Sequence, residues 1–395
     1  MIAPLTPLLG DNSPLDDQAR ALIAGLFEKE AQLMASLPTD DPQDPKRLRR
    51  VMLTRTEMFA QPDAITNTLT REAEAIETVA RDLAGRSIRR VVLTGCGDSL
   101  AVMIGARLLL EEMLGVVCEP MQALDLAYYY KRGLGPQTLV VTLSSSGTTT
   151  RTVEAALVAN ALGALTLALS NTPGSALMTQ STHGLVVHAE RRGWPTQSST
   201  AAMAMLCRVA IRVGILRGVP GAPALETALS KLPRQMASSL TALDAVMADL
   251  ARIEADRGMY LYAGGGPAYA SALFGAVKMK ECSPDHAIAI PIEEFHHYNS
   301  LKPNDPLFVL APDGPSVPRA RDTAFEGQRW RGRVYGVVTG EEDALDPFCD
   351  QVIRLEAVPE SLAAFTFTLP LQLFAYHAAM EKFIRAGTTI PAQPE

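Results

Sequence analysis

The chain has 395 residues, 47% of them hydrophobic and 20% charged, with a formal net charge of −7. That length predicts two or three domains with enough apolar residues for buried cores, as in a globular enzyme. The acidic balance, with no long basic block, argues against nucleic acid as the main partner; interrupted apolar runs and an N-terminus without a basic-then-apolar signal point to no membrane partner and a cytoplasmic protein.

Ser13-Pro14 opens a predicted helix running to about Leu37, with Ser at the cap and Pro in the first turn. The Pro/Asp-rich stretch from Pro38 to Pro45 reads as a flexible linker, so residues 1–50 form an N-terminal helical extension, expected to dock as an arm on a partner subunit. Arg55 to Leu83 carries an amphipathic helical pattern. Apolar runs at Val91 to Leu93, Val116 to Cys118, Leu139 to Leu143, Ala164 to Leu169 and Leu185 to Val187 then alternate with helical segments such as Ala101 to Met113, which predicts a mostly parallel sheet.

Helical stretches follow from about Ser198 to Arg217 and from about Ala224 to Asp256. The pattern then restarts: Val91-Val92-Leu93-Thr94-Gly95-Cys96-Gly97 and Tyr260-Leu261-Tyr262-Ala263-Gly264-Gly265-Gly266 both read as strand, glycine turn and helix start. Further strands are predicted at Ala287 to Ile290, Leu307 to Ala311, Val334 to Val338 and Gln351 to Leu355, before a C-terminal helix from about Ala364 to Ala386. The fold class is therefore α/β, with two tandem doubly wound, flavodoxin-like parallel-sheet domains at 51–230 and 231–395.

Chemistry concentrates at two places. Ser144-Ser145-Ser146-Gly147-Thr148-Thr149 lies between a strand and a helix, where hydroxyls, backbone N–H groups and the positive helix end converge on one anion, and a sugar phosphate is the expected ligand. The earlier strand also ends in a hydroxyl and glycine loop, Gly95-Cys96-Gly97-Asp98-Ser99. Open α/β sheets bind ligands at such strand ends. The matching stretch of the second half, Ala311-Pro312-Asp313-Gly314-Pro315, has no run of hydroxyls, so one phosphate site per chain is expected.

Lys278-Met279-Lys280-Glu281, followed by His286, Glu293, Glu294, His296 and His297, is the densest titratable cluster. A carboxylate and an imidazole there can act as base and acid on a small substrate; the plain alternative is a surface ion pair and two loop histidines. The five cysteines are far apart without a C-x-x-C pair, so neither a metal nor a disulfide framework is expected. A dinucleotide-dependent oxidoreductase is a weaker reading: Gly95-Cys96-Gly97 follows a strand and Glu119 stands near the distance of a ribose-binding acid, but Leu100 takes the place of the third glycine. No cofactor is expected.

Across roughly residues 55 to 385 the chain resembles the double sugar-isomerase (SIS) domain family, which includes the isomerase half of glutamine:fructose-6-phosphate aminotransferase and stand-alone fructosamine-6-phosphate deglycases and glucosamine-6-phosphate deaminases. The likeness runs through the two loops above, Ser170-Asn171-Thr172-Pro173-Gly174-Ser175, Lys278-Met279-Lys280-Glu281 and Gln372-Leu373-Phe374-Ala375-Tyr376-His377. It implies that Ser144, Ser146 and Thr149 hold a 6-phosphate with the Ser145 backbone N–H. It implies further that Gly97, Ser99 and Ser198 adjoin the sugar, that Glu281 shuttles a proton between C1 and C2, and that Lys278 is a neighbouring active-site lysine. His297, sixteen residues after Glu281, falls at the family's ring-opening histidine, which reaches the site from a partner subunit, so a homodimer is implied.

The departures bear on activity. No N-terminal cysteine amidotransferase domain and no lysine-bearing tail accompany these motifs, Thr200 replaces a family lysine, and His296-His297-Tyr298-Asn299 replaces Lys-His-Gly-Pro. The resemblance then implies a deglycase or deaminase acting on an amino-sugar 6-phosphate. A ketose–aldose isomerase and a non-catalytic sugar-phosphate regulator remain alternatives.

Overall fold

A computed structural model describes residues 12–34, 36–41, 43–298 and 301–392. Four helices precede the first strand: α1 (Asp17–Met34), α2 (Pro45–Phe59), α3 (Gln61–Arg71) and α4 (Ala73–Ala84). The amphipathic helical pattern from Arg55 to Leu83 is spread over three helices, with breaks at Ala60 and Glu72. Pro62 in the first turn of α3 explains the first break, because it has no N–H to continue the hydrogen-bond ladder of α2.

The stretch before α2 is not a loose linker in its described residues. Asp44 caps α2 by accepting from the Lys46 N–H at 2.9 Å, and it also holds the Thr39 N–H and hydroxyl at 2.9 and 3.0 Å. The N-terminal arm likewise finds its partner within its own chain: Ile23 and Leu26 of α1 are buried in the apolar layer over the first sheet, and the Thr150 hydroxyl donates to Glu30 at 2.5 Å.

The first α/β unit contains β1 (Arg90–Gly95), α5 (Asp98–Leu114), β2 (Cys118–Gln122), α6 (Ala123–Tyr128), β3 (Thr138–Leu143), α7 (Thr150–Ala161), β4 (Leu165–Ser170), α8 (Ala176–Thr179), β5 (His183–Val186) and α9 (Gln197–Arg217). After α10 (Ala222–Glu254), the second contains β6 (Tyr260–Gly264), α11 (Pro267–Cys282), β7 (Ala287–Pro291), β8 (Pro306–Ala311), α12 (Val317–Arg329), β9 (Arg333–Thr339), β10 (Gln351–Leu355) and α13 (Ala363–Arg385). Each unit is a five-stranded parallel sheet, ordered β2-β1-β3-β4-β5 and β10-β9-β8-β6-β7. The two orders correspond strand for strand, as the repeated glycine turns predict. Gly97 and Gly266 open α5 and α11 with nearly the same backbone, φ 57 and ψ −127 against φ 51 and ψ −132, a region that strongly favours glycine.

β2 lies further along the chain than its apolar run suggests. Gly115 ends α5 in the left-handed region at φ +68, Val117 is exposed, and pairing begins only at Cys118 opposite Val91. β2 is an edge strand and tolerates Pro120, which weakens its sequence signature. The register also removes the dinucleotide reading of Glu119. It pairs with Val92 while Gly95 pairs with Gln122, so Glu119 sits three residues, about 10 Å, below the ligand edge. There it forms a surface ion pair with Arg90 at 2.5 Å.

α9 and the helix ending at Arg385 are long and apolar enough to cross a membrane, but 78% and 89% of their apolar windows are buried inside the fold, as core helices should be. The core of the second unit centres on Phe308, whose ring lies 5.0 Å from Tyr262, 5.2 Å from Tyr335 and 5.0 Å from Phe374. Phe308→Ala is expected to cost about 3–5 kcal/mol of unfolding free energy, because the surrounding rings cannot fill the cavity; a loss below about 1 kcal/mol in urea unfolding contradicts this packing.

Candidate functional site

A cavity of about 210 Å³ opens at the C-terminal ends of β1 and β3, where the strand order of the first sheet reverses. Four stretches of the first unit wall it, at Cys96 to Ser99, at Leu143, Ser145 and Thr149, at Asn171, and at Arg191, Pro195, Ser198 and Ser199; Glu281 of α11 closes it from the second unit. The site therefore lies where α5 and α11 pack together.

The hydroxyl loop is internally braced. The Ser144 and Thr149 hydroxyls share a hydrogen bond at 2.8 Å, Ser144 lies 3.4 Å from the Ser146 hydroxyl, and the Gly147 N–H donates to Ser144 Oγ at 3.1 Å. The Ser145 hydroxyl points away, donating to Asn171 Oδ1 at 2.8 Å, and Asn171 donates in turn to the Ala189 carbonyl at 2.9 Å. Gly147 adopts φ +64, and a Cβ there would fall 1.9 Å from Ser175 Oγ, so no other residue fits the turn. Thr149 precedes α7 without capping it through its side chain, so the hydroxyl loop stands at the positive end of that helix.

The proton-handling groups sit opposite. Lys278 is wholly buried, donating to Asp98 Oδ2 at 2.7 Å and also to Glu281. It is not on the cavity wall, so its contact with the cavity runs through Asp98 and Glu281, which are. Burial and the neighbouring Asp98 push the Glu281 carboxyl from its ordinary 4.5 up to about 7 against the pull of Lys278 and Arg50. Burial disfavours the Lys278 charge, but its two carboxylate partners outweigh burial and hold it well above the ordinary lysine range.

Helix α2 supports the remaining wall. The Glu57 carboxylate, 3% exposed, accepts the N–H groups of Arg192 and of Gly193, the latter at 2.9 Å, and the Thr54 hydroxyl accepts the Trp194 N–H at 2.8 Å. The Arg50 guanidinium stacks 3.3 Å over the Trp194 ring, and Arg47 donates to the Cys282 carbonyl at 3.0 Å at the end of α11. The helices before the first strand thus fix both sides of the cavity mouth.

Of the residues expected from sequence, Gly97, Ser99, Ser145, Thr149, Ser198 and Glu281 line one cavity, with Ser144 and Ser146 bracing the loop beside it. His297 does not join them: it follows a short 3-10 turn (Glu294–His296), is 61% exposed, and lies 3.4 Å from Glu293. Asp98 and Arg191 were missed by sequence reasoning; Asp98 stands inside a motif read for its glycines and serine, and Arg191 carries no periodic signal. His183, His188 and His377, without evident partners in the sequence, are tied to Asp82, Glu72 and Asp244 at 2.7, 2.8 and 2.8 Å. They serve packing.

The sequence model of the SIS domain matches residues 86–212 and again 255–382. The chain belongs to the SIS domain family. Its two copies of the domain carry the two parallel sheets. Glutamine–fructose-6-phosphate aminotransferase (isomerizing) of Shewanella oneidensis is 30% identical over 369 residues, covering 89% of this SIS chain and 59% of the relative. The same enzyme of Pseudomonas putida is 31% identical over 343 residues, covering 82% and 55%. The chain thus spans between one half and three fifths of the length of these curated relatives. Among solved structures, the C-terminal domain of the Francisella tularensis glucosamine-fructose-6-phosphate aminotransferase superposes with a TM-score of 0.76 at 22% identity, covering 86% of this chain and 98% of that one. The Escherichia coli tagatose-6-phosphate ketose/aldose isomerase gives 0.69 at 20% identity, covering 87% and 95%. At these identities the structures show a shared fold.

Because the folded environment favours the protonated Glu281, its contribution to stability is present in full below pH 4.5 and is lost as pH rises through about 7. Wild type should therefore lose stability relative to Glu281→Gln between pH 5 and 8 in paired urea titrations; a constant difference contradicts the raised carboxyl.

Proposed function

We propose that this SIS protein is an enzyme that moves a proton between C1 and C2 of a sugar 6-phosphate, with an amino-sugar 6-phosphate as substrate and loss of the amine or ammonia as outcome. The observation that carries the reading is the pairing, across one small cavity, of a hydroxyl loop at a helix start with a carboxyl poised near neutrality. An anion held by Ser144, Ser146, Thr149 and the backbone at Ser145 leaves the far end of a six-carbon chain to reach Glu281, with Gly97, Ser99 and Ser198 beside its hydroxyls.

Sugar phosphates are mainly closed rings, and C1–C2 chemistry needs the open chain. His297 is assigned to move the ring hydroxyl's proton. Its exposure, away from its own chain's cavity, fits delivery to the site of a second copy in a homodimer. Glu281 then takes the proton from one carbon, giving an enolamine, and a carboxyl that is neither fully ionised nor fully protonated near pH 7 can both accept it and return it to the neighbouring carbon. The imine so formed is hydrolysed by water, which becomes the carbonyl oxygen as the amine or ammonia leaves. Lys278, bonded to the same carboxylate, keeps its orientation. Named relatives that work on fructose 6-phosphate with nitrogen transfer support C–N chemistry, and the likeness to a ketose/aldose isomerase supports isomerisation as the second reading.

The test is an assay on glucosamine 6-phosphate, fructoselysine 6-phosphate and fructose 6-phosphate that scores released amine or ammonia separately from isomerised sugar. Nitrogen release that falls at least about 10²-fold in Glu281→Gln is expected. Isomerisation without nitrogen loss moves the assignment to the second reading, and binding without turnover of any of the three contradicts both.

A further inference from the structure

At the floor of the cavity two carboxylates compete for one ammonium. Asp98 and Glu281 approach Lys278 from different helices, α5 and α11, and the Asp98 side chain is only 9% exposed. Its Oδ2 receives the Lys278 ammonium at 2.7 Å, while Oδ1 is buried without a hydrogen-bond partner. Burying a carboxylate oxygen unpaired is expensive. Asp98 is also the first residue of α5, where a negative charge favours the helix, but a small neutral polar residue starts a helix with no buried charge to sustain. The position is therefore costly for a helix start alone.

We propose that Asp98 is a positioning residue for Glu281: by sharing the Lys278 ammonium from the α5 side it keeps that charge from serving Glu281 alone and leaves Glu281 able to exchange its proton with the cavity. This rests on Glu281 being the proton carrier of the reading above. The charged or titratable groups facing Glu281 are Lys278 and Cys282 from its own helix, Asp98 from α5, Arg50 from α2, and Arg191 on the cavity wall. Burial holds the Cys282 thiol up at about 12, so it is uncharged near pH 7. Among the described residues Lys278 is the one cation bonded to both carboxylates, and a second full negative charge in this buried setting is disfavoured. The proton that relieves it resides on Glu281, which at 21% exposure against 9% for Asp98 is the carboxylate better able to trade a proton with the cavity that both line.

The experiment is a pH titration of the glutamate side-chain carboxyls by carbon NMR on full-length protein labelled at glutamate Cδ, with Glu281→Gln used to identify the resonance. Wild-type Glu281 should titrate near neutrality, and Asp98→Asn should lower its midpoint by about one pH unit or more, since removing the neighbouring charge leaves Lys278 to Glu281 alone. Asp98→Ser, a good helix-starting residue, should give the same fall, so that a folding defect in one variant leaves the other readable. An unmoved Glu281 midpoint in a folded Asp98 variant overturns the proposal and reduces Asp98 to a helix start. The titration needs no substrate. Inactivity on the three sugar phosphates therefore counts against the assigned reaction alone, and an unmoved midpoint in an active enzyme counts against Asp98 alone.

Discussion

The Lys278 ammonium, held between Asp98 of α5 and Glu281 of α11, joins the two SIS units at the cavity and determines what the cavity can do. Taking three charged groups out of water costs several kcal/mol for each, and the mutual attraction offsets this only when the geometry is rigid. Rigidity comes from the helix layer around the triad. Ala101 and Ala106 on α5, Ala270 and Ala276 on α11 and Ala364 on α13 are all buried, and such small side chains let the helices approach closely. α2 adds a brace from outside through Arg47 to the last carbonyl of α11 and through Glu57 and Thr54 to the wall before α9. A carboxyl near neutrality is thus a product of the whole interface, with the leading helices as part of it.

The two units share a topology and a glycine turn but not a chemistry. In the first, β3 runs into a hydroxyl loop at the start of α7. In the second, β8 runs into Pro312 to Pro315, and Glu360 from the turn before α13 brings its carboxylate so close to Gly314 that a Cβ there would lie 2.3 Å from it. The same carboxylate stands beside Gly266 at the start of α11. An internal anion thus lies at the loop that holds hydroxyls in the first unit, and it repels a phosphate. The second unit contributes Glu281 and Lys278 through the helix that follows its glycine turn, and the first contributes the anion cradle.

Much of this was legible in the sequence for definite reasons. Interior parallel strands such as Val91 to Leu93 and Leu307 to Ala311 are buried on both faces and read as apolar runs, and the glycine turns demand a backbone that few other residues tolerate. The edge strand β2 is only partly buried after Cys118 and carries Pro120, which is why its expected position was displaced. The breaks at Ala60 and Glu72 were hidden because the apolar face continues across them, with Pro62 as the one local clue. The hydroxyl loop and Glu281 stood out by residue type, whereas the role of Asp98 depends on a contact across 180 residues of sequence that spacing cannot reveal. The docking of α1 on α7 was missed for the same reason: the arm's amphipathic pattern predicts a buried face without saying what covers it.

The central claim is that a phosphate held at Ser144 to Thr149 presents C1 and C2 of a sugar to Glu281. Its most direct test is hydrogen exchange in D2O, with glucosamine 6-phosphate and fructose 6-phosphate followed by proton NMR. The account predicts loss of the C2 proton signal of the first or of a C1 proton signal of the second, catalysed by wild type and abolished in Glu281→Gln. Exchange that persists in Glu281→Gln, or its absence from both sugars while they bind, contradicts it.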